Sequence, residues 1–179
     1  QVIRQETFWS YFDFTSTTAH KYYNDGGSNP VDPKHYLNLW VLVGKGADGT
    51  GELLGQCTFP GLVTDAEDGC TINYKVFGDS SVNYINDDKW KNTVGLGSQD
   101  THGRTTTHEI GHFFNLGHIW GEAAGGFNDP QYCDDGDRIK DTPDQLGPHS
   151  GCPTSNTQFS TFSCGTDDMY MNYMDYSDD

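Results

Sequence analysis

The stretch His108–His118, HEIGHFFNLGH, decides the fold, because it fits the pattern H-E-x-x-H-x-x-G-x-x-H. On a helix, His108 and His112 share one face, so both imidazoles can reach the same ion. Gly117 permits the chain to leave the helix, and His118 can then return to supply a third nitrogen. Three neutral nitrogens leave one position of the ion open, which is typical of a catalytic zinc site. The other histidines lack this spacing and are interpreted as exposed or hydrogen-bonded side chains: His20, His35, His102 and His149.

Glu109 follows the first histidine and is expected beside the metal without binding it. Zinc lowers the pKa of its bound water from 15.7 to about 7. Glu109 can take the proton of that water as it attacks a peptide carbonyl, and can then hand the proton to the leaving amine. The motif therefore predicts peptide-bond hydrolysis without a nucleophilic serine or cysteine.

Short apolar runs predict a small sheet around this motif. Strands are predicted at Leu37–Val43, where the run LNLWVLV is consistent with a buried strand, at Leu53–Phe59 and at Cys70–Phe77. The zinc helix is predicted over Thr105–Asn115, with a cap among its neighbouring threonines and Gly117 as its stop.

The rest of the chain contains many turn-forming residues. Asn24–Pro33 and Gly78–Arg104 are interpreted as loops, and a short helix is predicted around Thr15–Tyr23. The chain after Gly121 is rich in Gly, Asp, Pro and Ser, so we expect mostly irregular structure held by disulfides and metal.

Composition limits the kinds of partner. The 179 residues fit one domain with a core, and the formal net charge of -16 would repel nucleic acid. No apolar run reaches the ~18 residues that a membrane span needs. We therefore expect neither a nucleic acid nor a membrane as partner, and we expect a monomer. No signal peptide is visible at Gln1, so any targeting segment is expected to have been removed or to lie outside this sequence.

The chain has five cysteines, and none forms a C-x-x-C pair, which argues against a thiolate zinc site or a redox motif. Their spread suits disulfides in an oxidising compartment, so we expect a secreted protein. Spacing alone leaves the connectivity open, and the odd number means that one cysteine is free or has its partner outside this chain. The five are Cys57, Cys70, Cys133, Cys152 and Cys164.

A second element, NYMDY at Asn172–Tyr176, follows the zinc motif. Together the two resemble the metzincin clan of zinc endopeptidases. The resemblance implies an α+β fold, in which a small twisted sheet and an active-site helix lie above an irregular C-terminal subdomain with a methionine-containing turn. Met174 matches that turn beneath the zinc. Tyr176 matches a tyrosine that in several metzincin families binds zinc or steadies the intermediate.

Within the clan, the chain most resembles the pappalysin family, including its bacterial and fungal secreted members. The matching stretches are LNLWV at 37–41 (the family's central strand), GQCTFPG at 55–61 (its upper edge strand, where extended substrates pair), CDDGDRIKDTP at 133–143 (the loop after the zinc helix) and NYMDYSDD at 172–179. The resemblance implies one catalytic domain over 1–179, with an N-terminal subdomain of about 1–118 and a C-terminal one of about 119–179. The family's domain usually extends beyond both ends of this chain.

The family resemblance also favours a calcium site in the loop after the zinc helix. Hard oxygen donors crowd this loop: Asp134, Asp135, Asp137, Asp141 and Thr142. The best ligands would be the side chains of Asp137 and Thr142, with the carbonyls of Gly136 and Lys140. Arg138 and Lys140 leave an alternative open, namely an Asp-rich turn with local salt bridges.

The family pattern implies the disulfide Cys133–Cys164 and pairs Cys152 with a cysteine just beyond Asp179. Cys57 and Cys70 remain; they flank a loop between two predicted strands, and we predict that they pair.

In a metzincin, the segment just after the methionine turn forms a wall of the pocket for the substrate residue that follows the scissile bond. Several pappalysins favour basic residues there, which points to Asp179 as the pocket floor and Asp178 as the second candidate. A carboxylate at this position would pair with Arg or Lys. The alternative is two exposed acidic residues.

The sequence thus predicts a secreted zinc metalloendopeptidase that acts on protein or peptide substrates. One alternative is a non-enzymatic binding domain stabilised by calcium and zinc; Glu109 argues against it, since a structural site has no use for a general base. The other is a serralysin- or astacin-like protease. Ile119, where astacins usually carry Glu and serralysins Pro, argues against that alternative, as does the Cys133 loop.

Overall fold

The computed structural model describes residues 12–13, 18–45, 53–78, 103–121, 133, 136–151 and 161–177. The chain divides into two compact units, Gln1–Phe114 and Asn115–Asp179, and each is described separately. No helix in the described ranges is long and apolar enough to cross a membrane.

The first unit is built on a three-stranded mixed sheet. The described strands of the unit are β1 (Phe12–Asp13), β2 (Leu39–Leu42), β3 (Gly44–Lys45), β4 (Gly55–Cys57) and β5 (Cys70–Asn73). The order of the sheet is β2-β5-β4, with β2 parallel and β4 antiparallel to β5. β1 and β3 form a separate parallel pair. β4 therefore lies at one edge of this sheet, as the family resemblance implies.

The strand expected at Leu37–Val43 is shorter than predicted and is not buried throughout. Trp40 is only 7% exposed, whereas Leu39 and Val41 are 37% and 41% exposed. The alternation arises because successive side chains of a strand point to opposite faces. Within the described sheet, β2 is an edge strand and the central place belongs to β5, all of whose residues are buried. The expectation of a buried strand here was wrong for the described residues.

The core of this unit lies between the sheet and one helix, α1 (Arg104–Phe113). Its buried members come from β4, β5 and the 3-10 turn Tyr74–Val76 that follows β5, and Ile110 and Phe113 of α1 pack against them. A disulfide joins Cys57 to Cys70, which are directly paired across β4 and β5. The sheet edge nearest α1 is thus covalently tied to the central strand.

Both ends of α1 differ from the predicted ends. The helix begins after Gly103, whose φ of 76° lies in the left-handed region, and Thr107 inside the first turns donates a hydrogen bond to the Gly103 carbonyl (3.1 Å). No threonine acts as the cap. At the other end the left-handed residue is Asn115 (φ 69°) rather than Gly117, because asparagine is one of the few residues besides glycine that tolerate this conformation.

Where a helix was predicted around Thr15–Tyr23, the described residues form two 3-10 turns, Ala19–Lys21 and Tyr23–Asp25. His20 is 2% exposed, and its Nε2 lies 2.7 Å from Thr71 Oγ1 of β5. Burial, with a smaller contribution from the charge of Lys21, lowers the pKa of His20 to about 4. His20 is therefore a neutral, hydrogen-bonded core histidine near neutral pH.

In its described part, the second unit is mostly irregular, as predicted for the chain after Gly121. Its strands are very short: β6 (Ser150–Gly151), β7 (Phe162–Ser163), β8 (Thr166–Asp167) and β9 (Tyr176–Ser177). β6 pairs with β9 in parallel, and β7 with β8 antiparallel. The unit contains the disulfide Cys133–Cys164 and an apolar cluster of Ile119, Trp120 and Met174. Both disulfides are pairs named from the sequence.

Candidate metal centre and active site

The turn spacing of α1 places the first two histidines side by side. His108 and His112 are each 7% exposed, and their Nε2 atoms lie 3.1 Å apart. The ring of Phe59 packs against the His112 ring at 5.1 Å between centroids. In the continuous stretch 103–121, one ring nitrogen from each of His108, His112 and His118 lies within 4.8 Å of the others.

These nitrogens fit a zinc ion. A tetrahedral zinc with Zn–N bonds of about 2.0–2.1 Å holds its ligand nitrogens about 3.3–3.4 Å apart, close to the 3.1 Å between the Nε2 atoms of His108 and His112. When both Nε2 atoms carry lone pairs, neither can donate a hydrogen bond to the other. A metal ion between them would accept both lone pairs. Among the described residues this is the one group of three His, Cys, Asp or Glu side chains able to share an ion.

Glu109 lies under β4 in a closely fitted space. It is 7% exposed, and a Cβ atom on Gly55 would come within 2.5 Å of its Cγ. The backbone N–H of Cys57 donates a hydrogen bond to the Glu109 carboxylate. Burial raises the pKa of Glu109 to about 7, and the Cys57 hydrogen bond opposes that rise. The sequence pattern named Glu109 but gave no sign of Gly55 or Cys57 as its neighbours.

In the second unit, His118 is held between two aromatic rings. Its imidazole stacks on Trp120 at 4.5 Å with an interplanar angle of 6°. The hydroxyl of Tyr176 lies 3.0 Å from His118 Nε2, and the Tyr176 ring meets Trp120 edge-on at 4.9 Å. Sequence reasoning did not identify Trp120. The one signal for it is its position, two residues after the third histidine.

Met174, the residue matched to the methionine turn, lies in a turn of the described chain. Asn172 organises it: its Oδ1 accepts a hydrogen bond from the Met174 N–H (2.9 Å), and its carbonyl accepts one from the Asp175 N–H (3.0 Å). The Met174 side chain is 6% exposed and packs with Ile119 and Trp120. The turn thus packs against residues that immediately follow His118.

Gly121 lies three residues after His118, at a position that accommodates only glycine. Its N–H donates to the His118 carbonyl (2.8 Å), and its φ is 84°. A Cβ atom here would lie 2.6 Å from the Gly136 carbonyl oxygen. The loop that was predicted to bind calcium therefore packs closely on the chain after the third histidine.

That loop is only partly described. Asp134 and Asp135 lie outside the described residues. Asp137 Oδ1 accepts a hydrogen bond from the Ile139 N–H (2.9 Å), and the Thr142 N–H donates to the Ile139 carbonyl (3.1 Å). Gly136 is buried and Lys140 exposed. The calcium ligands stay a prediction. Asp178, Asp179 and Cys152 also lie outside the described residues, as does His102.

The other lone histidines are hydrogen-bonded, as interpreted, but their environments differ. His35 is exposed and pairs with Asp32 at 2.9 Å. His149 has a side chain only 11% exposed and lies between two buried aspartates. Nothing in the local sequence around His149 indicated this buried charge cluster.

A mixed sheet above a helix that brings two histidines together, with a third just after the helix and a methionine turn further on, defines the metzincin class of metallopeptidases. A family model described as Pregnancy-associated plasma protein-A, peptidase M43, matches residues 23–179. The chain therefore belongs to the pappalysin family.

Individual relatives agree with this assignment. An extracellular metalloprotease of Arthroderma benhamiae is 40% identical over 136 residues, which cover 71% of this chain and 37% of the relative. One from Neurospora crassa is 36% identical over 149 residues, covering 80% of this chain and 41% of that protein. The chain thus spans about two fifths of the length of these curated relatives.

Solved structures give the same fold. Mature mirolysin of Tannerella forsythia in complex with a cleaved peptide matches with a TM-score of 0.72 and 34% identity, covering 97% of this chain and 56% of that one. Mirolysin in complex with compound 9 matches with a TM-score of 0.73 and 34% identity, covering 98% of this chain and 57% of that one.

Proposed function

We propose that the protein is a secreted zinc-dependent endopeptidase in which Glu109 is the general base. The observation that carries the proposal is the convergence of nitrogens from His108, His112 and His118, with the buried Glu109 next to the first of them in the chain. Support comes from the pappalysin family, from fungal relatives named extracellular metalloproteases, and from mirolysin, whose structure holds a cleaved peptide. The two disulfides agree with an oxidising compartment.

A zinc ion held by the three histidines would supply a bound water with a pKa near 7 and a positive charge beside the scissile carbonyl. Glu109 would serve as the general base that accepts a proton from the attacking water and returns it to the leaving amine. The Cys57 N–H keeps the carboxylate in one orientation, and the Gly55 backbone closes the space behind it. The Tyr176 hydroxyl donates a hydrogen bond to the carbonyl oxygen as negative charge builds on it.

The proposal extends to the substrate and to a second metal. The substrates are proteins or peptides, with Arg or Lys preferred just after the scissile bond because of Asp179 and, second, Asp178. Calcium is held by the loop of Asp137 and Thr142, with the carbonyls of Gly136 and Lys140. These two parts rest on the family resemblance and on the acidic sequence of both segments. We also propose one domain over 1–179, divided near residue 118, and a monomer.

The central experiment measures zinc content and cleavage of a quenched peptide in the same purified preparations. Glu109→Ala is expected to keep zinc and to lose roughly 10²–10⁴-fold in kcat, since it removes the base and no ligand. His118→Ala is expected to lose zinc affinity as well. His35→Ala is the control, because it removes an exposed histidine that pairs with Asp32.

Near-full activity of zinc-loaded Glu109→Ala would disprove the mechanism. A zinc-loaded wild-type protein that cleaves no peptide in a diverse library would instead favour the non-enzymatic binding domain.

A further inference from the structure

The second unit contains a buried charge cluster that the proposed chemistry does not use. His149 lies between two aspartates: its Nδ1 is 2.9 Å from Asp175 Oδ2, and its Nε2 is 3.2 Å from Asp168 Oδ2. The side chains of Asp168 and Asp175 are 2% and 0% exposed. Each ring nitrogen of His149 therefore faces one carboxylate oxygen.

The remaining carboxylate oxygens are also hydrogen-bonded. Asp175 Oδ1 accepts from two backbone N–H groups, those of His149 (2.8 Å) and Tyr176 (2.7 Å). Gln145 Nε2 lies 2.8 Å from Asp175 Oδ2 and 2.9 Å from His149 Nδ1, and Ser163 Oγ donates to Asp168 Oδ1 (2.6 Å). Such a network fixes its members rigidly, because each lost contact would leave a buried charge unpaired.

The network leads to one side chain of the candidate active site. Asp175 holds the backbone N–H of Tyr176, and the chain immediately after His149 pairs as β6 with β9, which contains Tyr176. The backbone of Tyr176 is thus tied to His149 by two routes. Its side chain is 46% exposed, and its hydroxyl lies 3.0 Å from His118 Nε2. The ring contacts of Tyr176 with His118 and Trp120 hold one side of this half-exposed side chain, and the fixed backbone sets where that side chain begins.

We propose that His149, held between Asp168 and Asp175, is a positioning residue that sets the Tyr176 hydroxyl for the reaction. The proposal rests on the proposed function, and specifically on the part of it that assigns a role to Tyr176. In this proposal His149 acts through Asp175, whose carboxylate accepts the backbone N–H of Tyr176. The alternative is a purely structural role, although buried ionic contacts are by themselves weak evidence for stability. The two roles differ in whether the effect of His149 depends on Tyr176.

A double-mutant cycle on the zinc-loaded full chain tests this, with His149→Gln, Tyr176→Phe and the double variant. We measure kcat, KM, zinc affinity by chelator competition, and melting temperature, with all assays well below the lowest melting temperature. His35→Gln is the matched control, since His35 also contacts an aspartate at 2.9 Å but at the surface.

The expected result is strong coupling. Tyr176→Phe lowers kcat; His149→Gln lowers kcat about tenfold, because a small displacement of a positioned group costs this much or more, and leaves KM and zinc affinity within about twofold. The double variant has the kcat of Tyr176→Phe alone, because there is no hydroxyl left to position. His35→Gln matches the wild type.

Losses in kcat that multiply in the double variant would overturn the proposal, since His149 would then act independently of Tyr176. An unchanged kcat in folded His149→Gln would overturn it too. If Tyr176→Phe is fully active and Glu109→Ala is inactive, Tyr176 has no role in catalysis and this inference fails. The assignment of Glu109 as general base would still hold. If His149→Gln does not fold, Asp168→Asn replaces it in the same cycle, because it keeps the contact between His149 and Asp175.

Discussion

Gly55 leaves free the space beside its backbone that the Glu109 side chain occupies. A Cβ atom at this site would lie 2.5 Å from Glu109 Cγ, 2.7 Å from Oε1 and 2.8 Å from Cδ. All three distances are shorter than carbon contacts in folded proteins allow. Since Glu109 is itself buried and next to a candidate metal ligand, it has little room to move away without losing its alignment.

Gly55→Ala is therefore expected to lower kcat by about 10²-fold, because it displaces the base while leaving the three histidines in place. Zinc content should stay at the wild-type level. The control is Gln56→Ala, which changes the next residue of the same strand, whose side chain is exposed. Steady-state kinetics with metal analysis make the test. A kcat within twofold of the wild type would show that Glu109 does not depend on this space.

The sequence named the residues that act as a local group, because His108, Glu109 and His112 belong to one helix whose period is known in advance. It did not assign a functional role to Gly55 or His149. Their partners are far away in the chain, and a single glycine or histidine has no spacing that could identify a partner. Long-range contacts of this kind become visible only after the fold is known.

At the scale of elements, both boundaries of α1 show how local rules compete. Three threonines offered caps, and Gly117 offered a stop. The helix instead begins after Gly103 and ends before Asn115, each with a positive φ. A threonine inside the helix can bond back to a carbonyl four residues earlier, as Thr107 does with Gly103, and so loses its role as cap. The existence of the helix was predictable, but the residues that end it were not.

The loop of Asp137 is the element on which the calcium proposal can be tested. With zinc restored, removing calcium is expected to lower the melting temperature by roughly 5–10 °C, since a ligand at about 100 times its Kd stabilises by about 2.7 kcal/mol. Asp137→Asn should reproduce most of this shift, because an amide oxygen can still accept from the Ile139 N–H (2.9 Å) but the charge is gone. Calorimetry with and without calcium measures both effects.

Asp65→Asn is the control for that experiment, since Asp65 is exposed and pairs only loosely with Lys34 at 3.8 Å. Equal melting temperatures with and without calcium would reject the site. A drop on Asp137→Asn that calcium does not influence would favour the alternative of an Asp-rich turn.

For the whole molecule, the class of fold followed from one motif, whereas the arrangement of the sheet did not. β5 lies between β2 and β4, so each of its edges pairs with a strand that precedes it in the chain, one parallel and one antiparallel. The apolar runs predicted these strands, but no local signal distinguishes the central one when its sequence, CTIN, is half polar. The burial of Asn73 is tolerated because its side-chain amide donates to the Gly44 and Leu53 carbonyls (3.2 Å each).

The net charge of -16 by itself attracts cationic peptides, and this effect differs from that of a charged pocket. A strongly negative protein attracts any cationic peptide over a distance set by the salt concentration, wherever the positive residue lies in that peptide. A carboxylate at the pocket floor acts only on the residue just after the scissile bond. Net charge alone therefore predicts no preference between two peptides of identical composition.

Two such peptides test the pocket: one with Arg just after the cleaved bond, and an isomer with Leu there and Arg several residues away. We expect the wild type to favour the first in kcat/KM by about tenfold or more, as a charged pair in a shielded pocket is typically worth over 1 kcal/mol. At high salt both rates should fall, because long-range attraction is screened, while the preference persists.

Asp179→Ala should abolish the preference, and Asp65→Ala, which makes the same change in net charge at an exposed site, should not. Equal behaviour of the two variants, or faster cleavage before Leu, would assign the attraction to net charge alone and remove Asp179 from the pocket.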